Sequence, residues 1–205
     1  KQSKLQINSM LTLAFDAKRF FSSSTGFGTY CRTLLNDLMF HYPNHSYVLF
    51  SAESRQALND NPQDKSRAFE ISRILTSNSV SVVYPPRFGG RMGRVFAVSR
   101  QLRKAKVSLY HGMTHQIPRS VRSVGIPKIL TIHDLIFLRC PEFFADEDIG
   151  QREHELRDAC ETAQKIVAVS EATKSDLISL FGIQSSKIEV IYSACDKRYW
   201  RTVSK

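Results

Sequence analysis

The sequence predicts an α/β fold in which helices cover both faces of one open, doubly wound parallel sheet of about seven strands. Three observations support this prediction. Short β-rich runs alternate with helical segments about six times along the chain. Most of these runs are apolar at successive positions, which is typical of strands buried on both faces. The 205 residues, 42% of them hydrophobic, suit one globular domain with a sizeable core.

The predicted strands are short apolar runs, many of them rich in β-branched or aromatic residues. They cover residues 11–15, 47–50, 80–84, 107–111, 129–132, 166–169 and 188–191. Because crossovers between parallel strands are right-handed, we expect the connecting helices to pack onto the sheet in a doubly wound arrangement.

Apolar residues at helical spacing predict helices between these strands. After the first strand they are Tyr30, Leu34, Leu38 and Met39, and after the third strand they are Met92, Phe96 and Leu102. Residues 146–164 are expected to supply the helix after the fifth strand. Ser170 is a candidate N-cap of the next helix, and Gly182 is its expected stop signal.

Two polar segments lie outside the predicted core. Residues 53–66, which include Asn59-Asp60-Asn61-Pro62, are expected to form a surface loop. Residues 194–205 continue no core pattern and are expected to begin a linker to a further domain that this chain lacks. The predicted domain therefore covers residues 10–193.

The balance of charge predicts an anionic ligand or partner. The chain has 29 Lys and Arg against 19 Asp and Glu, a net charge of +10. Nucleic acid, anionic lipid, phosphorylated small molecules and an acidic domain all fit, although no nucleic-acid-binding signature is found. Residues 87–106 form a basic segment, which is either a solvated helix face or a docking surface for anionic membrane or for an anionic acceptor. Its cations are Arg87, Arg91, Arg94, Arg100, Arg103, Lys104 and Lys106.

The cysteines and the hydropathy pattern favour a cytoplasmic location, with membrane association as an open alternative. The four cysteines are widely scattered and form no C-x-x-C pair, so neither a zinc site nor a dense disulfide framework is expected. They are Cys31, Cys140, Cys160 and Cys195. No apolar run approaches the roughly 20 residues that span a bilayer.

A loop of small residues precedes the first long predicted helix. It ends in Gly26-Phe27-Gly28. Free backbone N–H groups and the positive end of the dipole at a helix N-terminus suit a phosphate, so Gly26 and Gly28 are candidate binding residues. The alternative is a tight turn that needs glycine for unusual dihedral angles.

Three histidines follow predicted strands at the edge of the sheet where ligands bind. His111 ends the fourth strand and His115 follows it, while His133 and Asp134 follow the fifth. Such rings orient sugar hydroxyls or a phosphate, or they serve as hydrogen-bonded structural groups. Asp134 has a second interpretation as a cap of nearby backbone N–H groups. No third ligand with metal-site spacing accompanies the histidines.

The residues 146–148 have a D-x-D pattern, which some sugar transferases use to hold a metal-bound nucleotide. They also stand where a helix is expected to begin. Acidic residues in a first turn interact favourably with the helix dipole, and this interpretation is preferred. We therefore expect no metal site here.

Five segments, in this order, resemble the N-terminal domain of family 4 glycosyltransferases with the GT-B fold. They are FDAKRFFSSSTGFGTYCRTLL, LYHGMTHQIP, ILTIHDLIF, IVAVSEATKSDL and KIEVIYSACDKRYW. The resemblance implies a Rossmann-like sheet that forms the N-terminal half of a GT-B fold. It also implies an acceptor-binding role for this half, the nucleotide-sugar donor being held mainly by a C-terminal domain.

The resemblance also assigns roles to individual residues. Gly26 and Gly28 match the glycine loop near the donor phosphates and the acceptor, and His133 matches the catalytic histidine beside the transferred sugar. Ser170 and Glu171 match a V-S-E turn that faces the cleft.

Thr29 departs from the family pattern, because many members carry arginine at that place. This departure removes the basis for an anionic acceptor contact there. The resemblance implies sugar transfer with retention to an acceptor hydroxyl, without a cofactor or metal, in bacterial polysaccharide or glycolipid synthesis. With the donor domain missing, the chain alone is expected to be inactive. The alternative is a non-enzymatic Rossmann-like module that binds nucleotides or nucleic acid.

Overall fold

The computed structural model describes residues 9–51, 65–84, 98–144 and 148–194. Their core is one sheet of seven strands, all of them parallel to their neighbours. The strands are β1 (Thr12–Asp16), β2 (Ser46–Phe50), β3 (Val80–Val83), β4 (Leu109–Gly112), β5 (Lys128–Ile132), β6 (Lys165–Ala168) and β7 (Ile188–Val190). All seven predicted strands are therefore confirmed, each within two residues of its predicted ends.

The strand order is β3-β2-β1-β4-β5-β6-β7. From β1 the chain builds outward through β2 and β3, then crosses back and continues on the other side of β1 with β4. This reversal makes the β1–β4 pair a topological switch point, where the loops on either side diverge and open a crevice at the carboxyl ends of the strands. Phe15 of β1 is paired with His111 of β4 at this point.

Helices cover both faces of the sheet. They are α1 (Lys18–Ser22), α2 (Gly26–His41), α3 (Lys65–Leu75), α4 (described over 98–104), α5 (Arg119–Arg122), α6 (Ile136–Arg139), α7 (Ile149–Thr162) and α8 (Glu171–Phe181). Short 3₁₀ turns lie at Pro141–Phe144 and Ser185–Lys187.

Two separate clusters of buried side chains show which helices share a face. One cluster joins Phe15 and Tyr47 of the sheet to α1, α2 and α3. The other joins Ala14 and Tyr110 to α4 through α8. Successive side chains of a strand point to opposite faces, so the neighbours Ala14 and Phe15 belong to different cores. The doubly wound α/β arrangement is confirmed.

Both predicted ends of α8 are confirmed. The Ser170 hydroxyl accepts a hydrogen bond from the Thr173 backbone N–H at 3.1 Å, and Gly182 ends the helix in the left-handed region with a φ of 65°. The end of the predicted loop 53–66 is wrong, because α3 begins at Lys65, before the loop was expected to finish. The rest of that loop, Met92, Phe96 and residues 195–205 lie outside the described residues.

The described part of the basic segment is amphipathic. Leu102 is buried in the core, whereas Arg100, Arg103, Lys104 and Lys106 are exposed. This pattern fits a helix with one solvated basic face. Arg87, Arg91 and Arg94 lie outside the described residues. In the part of the chain that the structure describes, no helix has the length and apolar character needed to span a bilayer.

Candidate functional site

Three histidine rings and two aromatic rings meet at the carboxyl ends of β4 and β5. The centroids of the His115 and His133 rings are 5.4 Å apart. Phe27 and Tyr30 of α2 meet His133 edge-to-face, at centroid distances of 4.8 and 4.7 Å. His111 completes the group, which we call the histidine site. The expectation that residues after these two strands lie close together is confirmed for these three histidines.

His133 is held by hydrogen bonds on both its backbone and its ring. Its Nε2 lies 3.0 Å from the carbonyl oxygen of Met113, and because a carbonyl only accepts, Nε2 carries the proton. Its own carbonyl accepts from the Thr173 hydroxyl at 2.9 Å. A neutral ring with a proton on Nε2 has its lone pair on Nδ1. Nδ1 is therefore the atom of His133 that can accept a hydrogen bond from an incoming hydroxyl.

His115 ties the loop after β4 to the end of β5. Its Nε2 accepts from the His133 backbone N–H at 2.8 Å, and its own N–H donates to the Thr131 carbonyl at 3.1 Å. The residue has a φ of 64°, in the left-handed region that few residues other than glycine adopt, histidine being one of the types enriched there. These two bonds, made in both directions between the loop and β5, stabilise that conformation.

The rings of the histidine site are neutral at pH 7. Burial, and to a smaller extent nearby His133, lowers the pKa of His111 to about 4 and that of His115 to about 3. The charges of Arg152 and Arg19 make smaller contributions to the lowered pKa of His115. Burial lowers the pKa of His133 as well, against a smaller opposing effect of its bond to the Met113 carbonyl. These rings therefore act as hydrogen-bonding groups rather than cations.

The N-terminus of α2 lies beside His133, because Phe27 and Tyr30 are in its first turn. The Thr29 N–H bonds to the Thr25 carbonyl, so the amides of Gly26, Phe27 and Gly28 precede the first intrahelical bond. The Thr25 side chain does not cap them. The dipole of this 16-residue helix thus has its positive end at three backbone N–H groups, and this arrangement is suited to binding an anion.

Gly28 is a glycine because of a close approach. A Cβ at this position would lie 2.0 Å from the Ser23 carbonyl oxygen and 2.8 Å from Nη1 of Arg32. A Cβ added at Gly26 would have no neighbouring atom within 4 Å. Neither residue is among the glycines with a positive φ in the described chain, so the expected alternative of unusual dihedral angles is wrong.

Ser170, Glu171 and Asp134 surround the site at the ends of helices. Ser170 caps α8, and Glu171 is exposed in the first turn of that helix. The Asp134 carboxylate accepts from the Ile136 N–H at 3.2 Å, the capping role that the sequence allows. Thr173, one turn into α8, brings this helix against His133. A role for Ser170, Glu171 or Asp134 in binding a ligand stays a prediction.

Sequence reasoning missed the residues that position the histidines. Thr131 of β5 lies 2.8 Å from His111 Nε2 and 3.2 Å from the Tyr30 hydroxyl, measured from its side-chain oxygen. Tyr30 was expected only as an apolar residue of a helix face. The signal available was the polar Thr131 inside an apolar strand, together with the aromatic Phe27 between two glycines.

Asp148, the last of the acidic residues after β5, stands at the start of a helix. The Asp148 carboxylate caps α7 by accepting from the Gln151 N–H at 2.9 Å, which confirms the preferred interpretation for this residue. The other two residues of the D-x-D pattern, 146 and 147, lie outside the described residues. Across ranges 9–51, 65–84, 98–144 and 148–194, no three His, Cys, Asp or Glu residues form a group that could hold a metal ion.

Comparison with known proteins identifies the family. The model for Glycosyltransferase Family 4 matches residues 25–198, from the start of α2 to beyond β7. The chain belongs to this family. The resemblance seen in the five sequence segments is thereby confirmed, and the α2 N-terminus and the three histidines all lie within the matched region.

The individual relatives are longer proteins, and only a part of each aligns with this chain. The O-antigen chain mannosyltransferase B of Escherichia coli is 28% identical over 98 residues, which are 48% of this chain and 25% of that protein. The crystal structure of a glycosyltransferase from Rickettsia africae ESF-5 aligns with a TM-score of 0.50 and 12% identity, over 90% of this chain and 43% of the other. At that identity the structural match shows the fold alone. The chain thus spans less than half the length of these two proteins.

The two glycines of the loop are expected to respond differently to substitution. Gly28→Ala forces the Ser23 carbonyl away from Arg32, which is buried and donates to it at 3.0 Å. We expect a loss of roughly 1–3 kcal/mol in the free energy of unfolding, measured by urea denaturation. Gly26→Ala is the matched control and should leave stability nearly unchanged. Equal stability of the two variants would refute the close-approach explanation.

The neutral histidines make stability depend on pH. His111 has a pKa of about 4 in the folded chain and an ordinary value of 6.5. In the unfolded chain His111 therefore binds a proton below about pH 6.5, whereas in the folded chain it binds one only below about pH 4. Stabilisation by this group is complete above pH 6.5 and is lost as the pH falls toward 4.

The variant His111→Gln should lack this part of the pH dependence. Between pH 7 and pH 4 we expect the wild type to lose on the order of 2–3 kcal/mol more unfolding free energy than this variant, by denaturant titration at each pH. His41→Gln, at an exposed position, is the control and should follow the wild type. If the unfolding free energies of the wild type and of His111→Gln changed in parallel with pH, His111 would not be held neutral.

Proposed function

We propose that this chain is the acceptor-side domain of an enzyme that transfers a sugar from a nucleotide-sugar donor to an acceptor hydroxyl. One observation carries the proposal: a neutral His133, its Nε2 bonded to the Met113 carbonyl, stands beside the uncapped N-terminus of α2. The family match favours a transferase over a non-enzymatic nucleotide- or nucleic-acid-binding module.

The α2 N-terminus is assigned to the phosphates of the donor. A nucleoside diphosphate is a good leaving group, so its departure requires stabilisation of developing negative charge rather than protonation by a carboxylic acid. The amides of Gly26, Phe27 and Gly28 supply oriented N–H dipoles for that purpose. Arg19 and Arg152, whose charges lower the pKa of His115, make the surroundings positive. We propose that these groups meet the charge without a metal.

His133 is assigned to the transferred sugar. Its Nδ1 accepts a hydrogen bond from a sugar hydroxyl and so orients the ring for transfer. Since burial keeps the imidazole neutral at pH 7, this role needs no proton transfer to His133. The rings of Phe27 and Tyr30, edge-on to the imidazole, hold its plane in place.

The finer features of the reaction are extensions of this proposal. We propose transfer with retained anomeric configuration, in the synthesis of a bacterial polysaccharide or glycolipid. The relative from Escherichia coli, named as an O-antigen chain mannosyltransferase, supports a polysaccharide product and makes activated mannose the first donor to test.

The proposal also requires a donor-side domain. We expect the 205 residues alone to transfer no sugar from GDP-mannose or UDP-glucose to a glycan acceptor, measured by release of the nucleoside diphosphate. The longer enzyme that includes the donor-side domain should release the nucleoside diphosphate from at least one of the two donors. Turnover by the 205 residues alone would overturn the requirement for a second domain.

Substitution of His133 tests its assigned role. In the longer enzyme, His133→Ala should lower kcat about 100-fold, as expected for loss of one oriented hydrogen-bonding group at the reacting sugar. Thermal unfolding should show that the variant stays folded. His41→Gln, exposed and far along α2, should keep the wild-type rate. An unchanged kcat for His133→Ala would reduce this residue to a structural role.

A further inference from the structure

The loop that follows β4, residues 112–116, is folded tightly back on itself. A Cβ at Gly112 would lie 2.2 Å from the carbonyl oxygen of Gln116, so only a glycine lets the two ends of the loop meet in this way. His115, between them, has the left-handed φ of 64°. Met113 is 0% exposed and packs in the core that α1, α2 and α3 share with the sheet. We call residues 112–116 the β4 loop, and these contacts fix its course.

Three hydrogen bonds join the β4 loop to the end of β5. The Met113 carbonyl accepts from Nε2 of the His133 ring at 3.0 Å. Nε2 of His115 accepts from the His133 backbone N–H at 2.8 Å. The backbone N–H of His115 donates to the Thr131 carbonyl at 3.1 Å. One loop therefore holds both the ring and the backbone of His133.

One of these three bonds depends on a side chain of the loop. The Met113 carbonyl and the His115 N–H are backbone groups, which almost any residue type supplies at those positions. The imidazole of His115 is different, because Nε2 is a side-chain acceptor. Without it the His133 N–H would lose its partner, and a backbone group without a partner is costly. We expect the loop to shift in response and to move the Met113 carbonyl with it.

The same bonds place the protons of the two rings on different nitrogens. A backbone N–H only donates, so Nε2 of His115 carries a lone pair, and the proton of this neutral ring lies on Nδ1. His133 has its proton on Nε2, since the Met113 carbonyl accepts from that atom. Burial lowers the pKa of both rings, that of His115 to about 3, so both are neutral at pH 7. Two rings with centroids 5.4 Å apart are thus fixed in opposite tautomers.

We propose that His115 is a positioning residue, whose Nε2 holds the β4 loop against β5 and so keeps the Nδ1 lone pair of His133 available to the ligand. Its effect on transfer rests on the proposed function, in which His133 orients the sugar. The tautomers and the bond do not, and they are measured on the 205-residue chain. The sequence predicts ligand contact for His115, and that direct contact is the alternative to be tested.

Long-range ¹H–¹⁵N correlation spectra of the ¹⁵N-labelled chain show which ring nitrogen carries a proton. In the wild type we expect the proton on Nδ1 of His115 and on Nε2 of His133. In His115→Leu the His133 ring should no longer be held in one tautomer, so the shifts of its two nitrogens should move toward each other. His115→Gln supplies Oε1 as a replacement acceptor and should keep the wild-type pattern of His133. His41→Leu, at an exposed position, is the matched control and should also keep it.

The spectra can overturn the proposal in three ways. A proton on Nε2 of His115 in the wild type would do so without any variant. An unchanged pattern of His133 in His115→Leu would do so as well, once thermal unfolding has shown that this variant is folded. If it is not folded, the wild type and His115→Gln decide, and loss of the His133 pattern in folded His115→Gln would refute the role of the acceptor.

Kinetics of the longer enzyme test whether His115 acts through His133. His115→Leu should lower kcat about tenfold and change KM for the nucleotide sugar less than about twofold, because it disturbs the group at the sugar and not the amides at the phosphates. His115→Gln should recover most of the lost rate. In the His133→Ala background, His115→Leu should lower kcat by less than about twofold, since an effect exerted through His133 disappears with that ring.

The outcomes of this cycle separate the inference from the proposed function. A further tenfold fall in kcat in the His133→Ala background would show that His115 contacts the ligand itself, and would overturn the proposal. A raised KM with an unchanged kcat for His115→Leu would overturn it too. If the tautomers are as expected but His133→Ala keeps the wild-type kcat, the β4 loop still positions the His133 ring, and the role of His133 in the proposed function fails.

Discussion

The pairing of β1 with β4 is the contact on which the rest of this structure depends. Phe15 pairs with His111 across these two parallel strands. The sheet continues from β1 through β2 and β3 on one side, and from β4 through β5, β6 and β7 on the other. The loop after β1 therefore leads to α2 on one face, while the crossover into β4 brings α4 to the other. The crevice between the diverging loops holds the α2 N-terminus and the histidine site side by side. Any change that separated β1 from β4 would remove both.

The alternation of side chains along these strands gives the two faces different chemistry. Phe15 and His111 point toward α2, and His111 is part of the histidine site. Their neighbours Asp16 and Tyr110 point the other way and line a cavity of about 490 Å³ on the opposite face. One pair of strands thus places a neutral imidazole on one face and the unpartnered Tyr110 hydroxyl on the other.

Rigidity, rather than charge, distinguishes the histidine site. His133 is bonded through its N–H to His115, through its carbonyl to Thr173 and through its ring to Met113. These bonds come from the loop after β4 and from α8, so two separate segments fix one residue. Burial then keeps the imidazole neutral. A ring held in this way selects ligands by the direction of a hydrogen bond, which suits the hydroxyls of a sugar.

The local pattern of the sequence was enough for the strands, for the caps of α8 and for the position of three histidines at or just beyond the carboxyl ends of strands. Periodicity, caps and strand ends depend on residues near one another in the chain, which is why they could be predicted. Only the tertiary structure showed why Gly28 is a glycine, because the obstructing Ser23 carbonyl approaches through the folding of the loop onto α2. It alone also showed the unpartnered oxygens of Tyr110 and Gln101. Whether a buried polar atom finds a partner depends on segments far apart in the sequence, and no local pattern records it.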